Sequence, residues 1–184
     1  SSKFHEAAVA FSADTTTIYF TRNSYLKGKT GRSDDGLIQL KIYVGKLTGN
    51  DNWENLQALP FCSDEYSTAH PSLSSDGQRL FFSSNKPGGY GGMDIYVSQL
   101  ESGRWGLPMN LGPEVNTAGN EIFPYLSADN RLYFASNSHT GLGGLDVYLA
   151  ICRLLFPDLC SDTKPNGELA RLVEQGKLGV KTGE

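Results

Sequence analysis

The chain has few of the residues on which several common functions depend. Only three of its 184 residues are cysteines, an odd number that gives no clean disulfide framework, although Cys152 and Cys160 could pair around a short loop. No run of 18 apolar residues occurs, so the sequence predicts no membrane-spanning helix. The net charge of −4 gives no overall basic signal for nucleic acid, and we expect no nucleic-acid partner.

Motifs for catalysis and metal binding are also missing. The sequence has no Gly-x-Ser-x-Gly nucleophile elbow, and the spacing of Cys152 and Cys160 matches no zinc pattern. The three histidines, His5, His70 and His139, do not fall at one repeated position, so they predict no shared set of metal ligands. We therefore expect no metal, no cofactor and no enzymatic activity.

What the sequence has instead is an internal repeat. Residues 74–85 read Ser-Ser-Asp-Gly-Gln-Arg-Leu-Phe-Phe-Ser-Ser-Asn, residues 127–137 repeat this pattern, and residues 12–23 are a looser copy. Asp76 and Asp129 are 53 residues apart, a period that sets the architecture before any single residue is interpreted. The first copy carries about nine extra residues after position 23, and they form an insertion.

Each copy predicts short strands joined by tight turns. Asp76-Gly77 is a strong hairpin signal because glycine accepts positive φ, and Asn130 is a workable substitute at the same place in the third copy. Four short strands per period of roughly 50 residues indicate an all-β protein of β-propeller-type blades. Three antiparallel four-stranded repeats leave the ring incomplete, because propellers have about 4–8 blades.

The predicted organisation has two parts. The blades occupy residues 4–150, divided at about 4–66, 67–119 and 120–150, and the last blade lacks its outer strand. Residues 151–184 are a divergent tail with one short predicted helix. The sequence leaves three alternatives open. The chain is a fragment of a longer propeller, it associates with itself through open blade edges, or it stands as an open arc.

Three phrases carry a family resemblance. His70-Pro71-Ser72-Leu73-Ser74, the glycine-rich stretch 86–92 and Asn-Leu-Gly-Pro-Glu-Val-Asn at 110–116 resemble the PD40 (WD40-like, TolB-type) propeller repeat, in the version found in OmpA-family envelope proteins of Bacteroidetes. The resemblance covers about residues 4–150. The first copy departs from it with Leu40-Lys41-Ile42-Tyr43 where the others have Gly-x-Asp-aliphatic-Tyr.

The resemblance implies a non-catalytic scaffold or binding module. Its expected location is the periplasm or the outer membrane of a Gram-negative envelope, and its expected partners are envelope proteins, peptidoglycan or another glycan. Some members of the family belong to a secretion apparatus. The alternative is a TolB-like propeller enzyme such as a polysaccharide lyase or glycan hydrolase, which would gather residues such as His70 and Glu121, with His5 and Glu6, at a channel mouth.

Two groups of residues are candidates for specific roles. Four residues lie where a strand ends or begins beside a tight loop, and their side chains can hydrogen-bond the backbone and fix that loop. They are Asn85, Asp94, Asn137 and Asp146. The second group consists of candidates for partner binding: the basic insertion with Arg22, Lys27, Lys29 and Arg32, an exposed Tyr90 and His139 on neighbouring loops, and His70 near the first strands. For the basic insertion, a solvated loop is the other interpretation.

Overall fold

A computed structural model describes residues 6–26, 29–49, 52–139 and 146–151. Within these ranges the chain forms β-strands and turns, and no helix there is long and apolar enough to cross a membrane. The strands are β1 (Glu6–Phe11), β2 (Thr17–Asn23), β3 (Tyr25–Leu26), β4 (Lys29–Thr30), β5 (Leu40–Leu47), β6 (Trp53–Ala58), β7 (Thr68–Leu73), β8 (Arg79–Ser84), β9 (Asp94–Glu101), β10 (Arg104–Trp105), β11 (Met109–Asn110), β12 (Glu121–Leu126), β13 (Arg131–Ser136) and β14 (Asp146–Ile151). The predicted tail helix, Cys152 and Cys160 lie outside the described residues.

The strands form three antiparallel meanders, one for each copy of the repeat. The first sheet has the order β1-β2-β5-β6, the second β7-β8-β9-β10 with β11 also paired to β9, and the third β12-β13-β14. The insertion of the first copy contains a separate hairpin, β3-β4. These sheets have the form of β-propeller blades, and the described residues of the third blade contain three strands.

The same turn closes the first hairpin of every blade. The hydroxyl of Ser74 donates to Asp76 at 2.5 Å and accepts the backbone N–H of Arg79 at 2.9 Å, and Ser12 and Ser127 make the equivalent bonds. The residue after the aspartate has positive φ in each turn: +57° at Thr15, +71° at Gly77 and +59° at Asn130. The glycine and asparagine predicted for these turns are confirmed there, whereas Thr15 places a β-branched side chain in a strained conformation.

The first strand of each blade contains a bulge at one repeated position. The bulged residues Ala8, His70 and Phe123 have φ values of +43°, +57° and +53°. Each register shift lies at that point, between Ala7 and Val9 in β1 and at the matching places in β7 and β12. A non-glycine residue rarely adopts this conformation, so the surrounding strands must hold three strained positions in place.

Adjacent blades pack through apolar side chains from the faces of their middle strands. The core between the first and second blades contains Tyr19, Ile42, Leu59, Leu80, Phe82 and Tyr96. The core between the second and third blades contains Phe81, Ile95, Val97, Leu111, Val115, Leu126, Leu132 and Phe134. Because alternate residues of a strand point to opposite faces, β8 supplies both cores, with Phe81 on one side and Leu80 and Phe82 on the other.

Candidate functional site

A groove of about 410 Å³ runs across the first strands of all three blades. We call it the inner-strand groove; it is lined by residues 8–11 of β1, 70–73 of β7 and 123–125 of β12. The three bulges therefore open onto one surface. Their strained backbone sets the direction of the side chains that face the groove.

An aromatic pair joins the second and third blades in this groove. The imidazole of His70 lies over the ring of Phe123, with 3.9 Å between the ring centroids. Phe123 is 50% exposed and Tyr125, two residues further along β12, is 61% exposed. Phe11 of the first blade is 48% exposed at the other side of the groove. Large exposed aromatic side chains around a concave surface are typical of a binding site.

His70 is held in an uncharged state by its surroundings. Its backbone N–H donates to Oγ1 of Thr21 at 2.8 Å, while its Nδ1 is buried without a hydrogen-bond partner among the described residues. Removal of the imidazole from water lowers the pKa of His70 to about 4. The groove therefore presents a neutral, polar and aromatic side chain at neutral pH.

Asp94 fixes the glycine-rich loop that precedes β9. Its carboxylate is buried and accepts the N–H of Tyr90 at 2.6 Å, the N–H of Gly91 at 3.1 Å and the amide of Asn110 at 2.8 Å. A Cβ on Gly91 would meet the backbone of residues 117–119, so the close approach of this loop to the segment before β12 requires glycine there. The side chain of Asp146, the matching residue of the third blade, lies outside the described residues.

The Asn-Leu-Gly-Pro-Glu-Val-Asn phrase extends this network. Oδ1 of Asn110 accepts the N–H of Gly112 and the amide of Asn116, each at 2.8 Å. The amide of Asn116 also pairs with both backbone groups of Ile95, at 2.7 and 2.9 Å. The two asparagines thus bind the segment after β11 to the middle of the second blade, a role that a sequence motif alone does not reveal.

In the first blade an ion pair takes the place of this network. Lys41 occupies the position of Asp94, and its ammonium lies 2.9 Å from the carboxylate of Asp64. The hydroxyl of Ser24 donates to the same carboxylate at 2.5 Å, and this bond, followed by Lys41, lowers the pKa of Asp64. The first copy thus departs from the repeat in its loop chemistry while an anion still fixes the loop.

Asn85 and Asn137 join the end of the second strand to the residue that precedes the first. Oδ1 of Asn85 accepts the N–H of Ser67 at 2.7 Å, and Oδ1 of Asn137 accepts the N–H of Asn120 at 2.8 Å. In both blades the backbone N–H of the asparagine also donates to the carbonyl oxygen of the same partner residue, at 3.3 Å. Both asparagines are therefore positioned to hold the inner strand in register with its neighbour.

Glu121 does not lie at an open channel mouth. Its side chain is fully buried, and it accepts hydrogen bonds from the backbone and hydroxyl of Thr117 at 2.8 and 2.7 Å and from the hydroxyl of Ser136 at 2.6 Å. The carboxylate is thereby committed to three donors. The gathering of His70 and Glu121 that the enzyme alternative requires is not supported by this placement, and His5 and the side chain of Glu6 lie outside the described residues.

The two predicted loop residues, Tyr90 and His139, differ in their surroundings. Tyr90 is 50% exposed at the tip of its loop. His139 is half-buried: its Nε2 lies 2.9 Å from the carbonyl oxygen of Val115, and its ring contacts the edge of Phe134. The expectation of an exposed His139 is therefore wrong, because its ring lies against Phe134 and the carbonyl oxygen of Val115 in the second blade.

The basic residues of the first copy do not form one exposed cluster. Arg22 lies in β2 with only 9% of its surface exposed, and its guanidinium sits 5.8 Å from the centre of the Tyr43 ring. Its placement on an exposed loop was wrong. Arg32 is exposed and donates to the carbonyl oxygen of Gly36 at 2.6 Å. Lys27 and the side chain of Lys29 lie outside the described residues. Within those residues, no group of three or more His, Cys, Asp or Glu side chains is arranged to hold a metal ion.

No protein-family model matches the chain, and no curated protein matches it either. Solved structures resemble it at low identity. A puromycin hydrolase S511A mutant complexed with PGG is 12% identical with a TM-score of 0.55, over 81% of this chain and 22% of that one. A thermostable family-43 glycoside hydrolase is 13% identical with a TM-score of 0.51, over 79% of this chain and 53% of that one. TolB from Acinetobacter baumannii is 16% identical with a TM-score of 0.49, over 81% and 30%.

The two structures with TM-scores above 0.5 support the fold and leave the activity open. The chain spans less than two thirds of the length of each of these structures. Identities of this size show a common fold alone, and one fold hosts both binding proteins and enzymes. The predicted all-β fold of propeller-type blades is confirmed.

Sequence reasoning missed most of the inner-strand groove. It named His70 but not Phe123, Tyr125 or Phe11. One available signal was the repeated pair His70-Pro71 and Phe123-Pro124: proline lacks an N–H donor, and inside a strand it marks an edge or a bulge.

Proposed function

We propose that this chain is a non-catalytic β-propeller binding module of a periplasmic or outer-membrane-associated protein in a Gram-negative envelope. Its partner is an envelope protein or a cell-wall glycan, in keeping with the resemblance to PD40 repeats of OmpA-family proteins in Bacteroidetes, some of which serve a secretion apparatus. The observation that carries the proposal is the inner-strand groove, in which the neutral imidazole of His70 packs on the exposed ring of Phe123 and further exposed aromatic rings line the same surface.

The chemistry of the groove suits binding. The exposed faces of Phe123, Tyr125 and Phe11 offer flat apolar area that packs against sugar rings or against apolar side chains of a peptide. They also lose little conformational entropy when a ligand binds, because each has few rotatable bonds. The Tyr125 hydroxyl and the His70 imidazole add polar groups that orient the ligand.

The buried carboxylates support a binding role over a catalytic one. Asp94 and Glu121 each accept three hydrogen bonds from the protein itself. A general acid or base must reach the proton it transfers, and neither carboxylate is exposed to a substrate. Asp94 instead fixes the loop between β8 and β9, and Glu121 fixes the segment that joins the second blade to the third.

Binding to the groove can be tested with two probes, soluble disaccharide-peptide fragments of peptidoglycan and a displayed library of peptides. We expect one of them to bind, and Phe123→Ser to weaken that affinity by at least about tenfold through loss of the stacking surface. Leu107→Ser is the control, because Leu107 is 92% exposed and does not line the groove. Failure of both probes to bind, or equal affinity for the Phe123→Ser protein, contradicts the proposal.

The alternative function is that of a TolB-like propeller enzyme such as a polysaccharide lyase or glycan hydrolase. One of the matched structures is named as a glycoside hydrolase and another as a puromycin hydrolase. Turnover of oligouronides by the chain, lost in both His70→Ala and Glu121→Gln proteins that remain folded, would establish this alternative. Turnover that both substitutions leave unchanged would remove these residues from any mechanism.

A further inference from the structure

The first blade has an open face that corresponds to the packed faces of the other two. We define the leading face of a blade as the one toward the blade before it in the chain, and the trailing face as the opposite one. Leu80 and Phe82 form the leading face of the second blade, and Leu132 and Phe134 that of the third; all four are at most 2% exposed.

The repeat identifies the matching residues of the first blade as Ile18 and Phe20. Both are only half-buried and line a largely apolar groove of about 450 Å³ with Phe11, Trp53 and Leu56. Phe11 is 48% exposed, whereas its counterpart in the third blade, Leu126, is 6% exposed in the core. Ile18, Phe20 and Phe11 are thus partly exposed on this face, whereas their counterparts in the third blade are covered in the core with the second blade.

Among the described residues, the third blade carries the complementary face. Tyr19 and Phe81 lie on the trailing faces of the first and second blades, and they are 8% and 0% exposed in the two cores. Their counterpart in the third blade is Tyr133, which is half-buried and packs on its own sheet against Tyr125, with 6.3 Å between the ring centroids. The described residues contain no apolar neighbour from a further blade over Tyr133.

One internal contact shows how two such faces meet. Tyr19 on the trailing face of the first blade packs against Trp105 of the second blade, with ring centroids 5.8 Å apart and planes at 81°. The counterpart of Trp105 in the first blade is Trp53, on the open leading face 6.0 Å from Phe11. The two ends of the arc thus carry the same tyrosine and tryptophan that pair within it.

We propose that two copies of this chain associate head to tail, with Tyr133 of one copy packed against Trp53 and Phe11 of the other. Two such contacts close a ring of six blades, a number within the range of about 4–8 that propellers use. We assign a second copy as the partner because the chain already contains a Tyr19–Trp105 contact, and the counterparts of these two residues, Tyr133 and Trp53, lie at opposite ends of the arc. The proposed contact shares Phe11 with the inner-strand groove, whereas Tyr133 and Trp53 do not line that groove, so the Tyr133→Asp variant tests the association apart from the binding role.

Light scattering on a sizing column tests the association. The unchanged chain is expected at twice the 20.0 kDa mass of one copy. Phe11→Asp and Tyr133→Asp each bury a charge in the contact and are expected to raise the dimer dissociation constant at least about tenfold. Tyr90→Asp is the control, since Tyr90 lies on an exposed loop outside both faces, and it leaves the dimer unchanged.

Mixing the two variants distinguishes a contact between unlike faces from a contact between two copies of the same face. The Phe11→Asp chain keeps an intact trailing face and the Tyr133→Asp chain an intact leading face, so the mixture regains one good contact and forms a mixed dimer. Circular dichroism checks that each variant folds, and Phe11→Ser and Tyr133→Ser replace any that does not. A monomeric unchanged chain, a dimer insensitive to Tyr133→Asp, a mixture that stays monomeric, or an open polymer overturns the proposal.

Discussion

The backbone N–H of His70 donates to the hydroxyl oxygen of Thr21 at 2.8 Å, and this bond joins the inner strand of the second blade to the first blade. Thr21 is 2% exposed, so water does not replace the bond when it is lost. The same position in the second blade is Ser83, whose buried hydroxyl has no partner among the described residues. One repeated position thus has a bonded hydroxyl in one blade and an unbonded one in the next.

Thr21→Val is expected to lower the free energy of unfolding by about 1–3 kcal/mol, because it keeps the shape of the side chain and leaves a buried N–H unpaired. Ser83→Ala is the matched control and should be neutral or slightly stabilising, since it removes a hydroxyl that is buried without a bond. Urea unfolding of both variants measures the difference. Equal losses would show that the interblade bond does not contribute.

Thr15→Gly should stabilise the chain. Thr15 is an exposed, β-branched residue at φ +57°, and glycine at this φ avoids its steric cost. Relief of the strain raises the free energy of unfolding, and the greater freedom of glycine in the unfolded chain offsets part of this. The expected net increase is about 0.5–1 kcal/mol. The reciprocal change, Gly77→Thr, should destabilise the second blade although a Cβ at Gly77 meets no atom. A loss of stability in Thr15→Gly, by thermal unfolding, would contradict this.

Asp94→Ala should cost much more than the same change at Asp129. Asp94 is 1% exposed and accepts three hydrogen bonds from the loop and from Asn110, so its removal leaves several buried donors unpaired and costs about 3 kcal/mol or more. The side chain of Asp129 is 57% exposed and serves one turn, and its replacement should cost about 1 kcal/mol or less. Comparable losses at both positions would show that Asp94 does not hold the loop between β8 and β9.

Stability should fall on acidification in a pH window set by His70. The pKa of this imidazole is about 4 in the folded chain and about 6.5 when it is unfolded, so the unfolded state binds the proton first as the pH falls. The contribution of His70 to the free energy of unfolding is therefore complete above pH 6.5 and is lost as the pH falls from 6.5 to about 4. His70→Phe should remove this part of the profile. The carboxylates of Asp76 and Asp129 have lowered pKa values, so they affect stability only below about pH 3.8. That part of the pH profile should remain in the His70→Phe protein.

The repeat made the blades predictable, because turn chemistry is local. Gly77 and Asn130 follow an aspartate between two apolar strands, and the positive φ that such a turn needs is a property of a few adjacent residues. The loop contacts of Asp94 likewise involve Tyr90 and Gly91, which are close in sequence. These features need no knowledge of how blades meet.

The remaining features depend on contacts between distant segments. His139 was expected in solvent, but it meets a carbonyl 24 residues earlier, and Arg22 is covered because it lies over Tyr43 of the neighbouring strand. The pairing of His70 with Phe123 joins residues 53 positions apart and requires a bulge in each strand. Alternation of apolar and polar residues does not encode such a bulge, and the prolines that follow His70 and Phe123 indicate a bulge without indicating that the two side chains meet.

The measurement that tests the inner-strand groove most directly is an NMR titration of His70. With the imidazole 3.9 Å from Phe123 and removed from water, its ring protons should be shifted upfield by the phenyl ring and should titrate near pH 4. In a Phe123→Ala protein both the upfield shift and part of the lowered pKa should disappear. An unshifted His70 that titrates near 6.5 and is unaffected by Phe123→Ala would show that the inner strands do not meet at this pair and that the groove is not built as described.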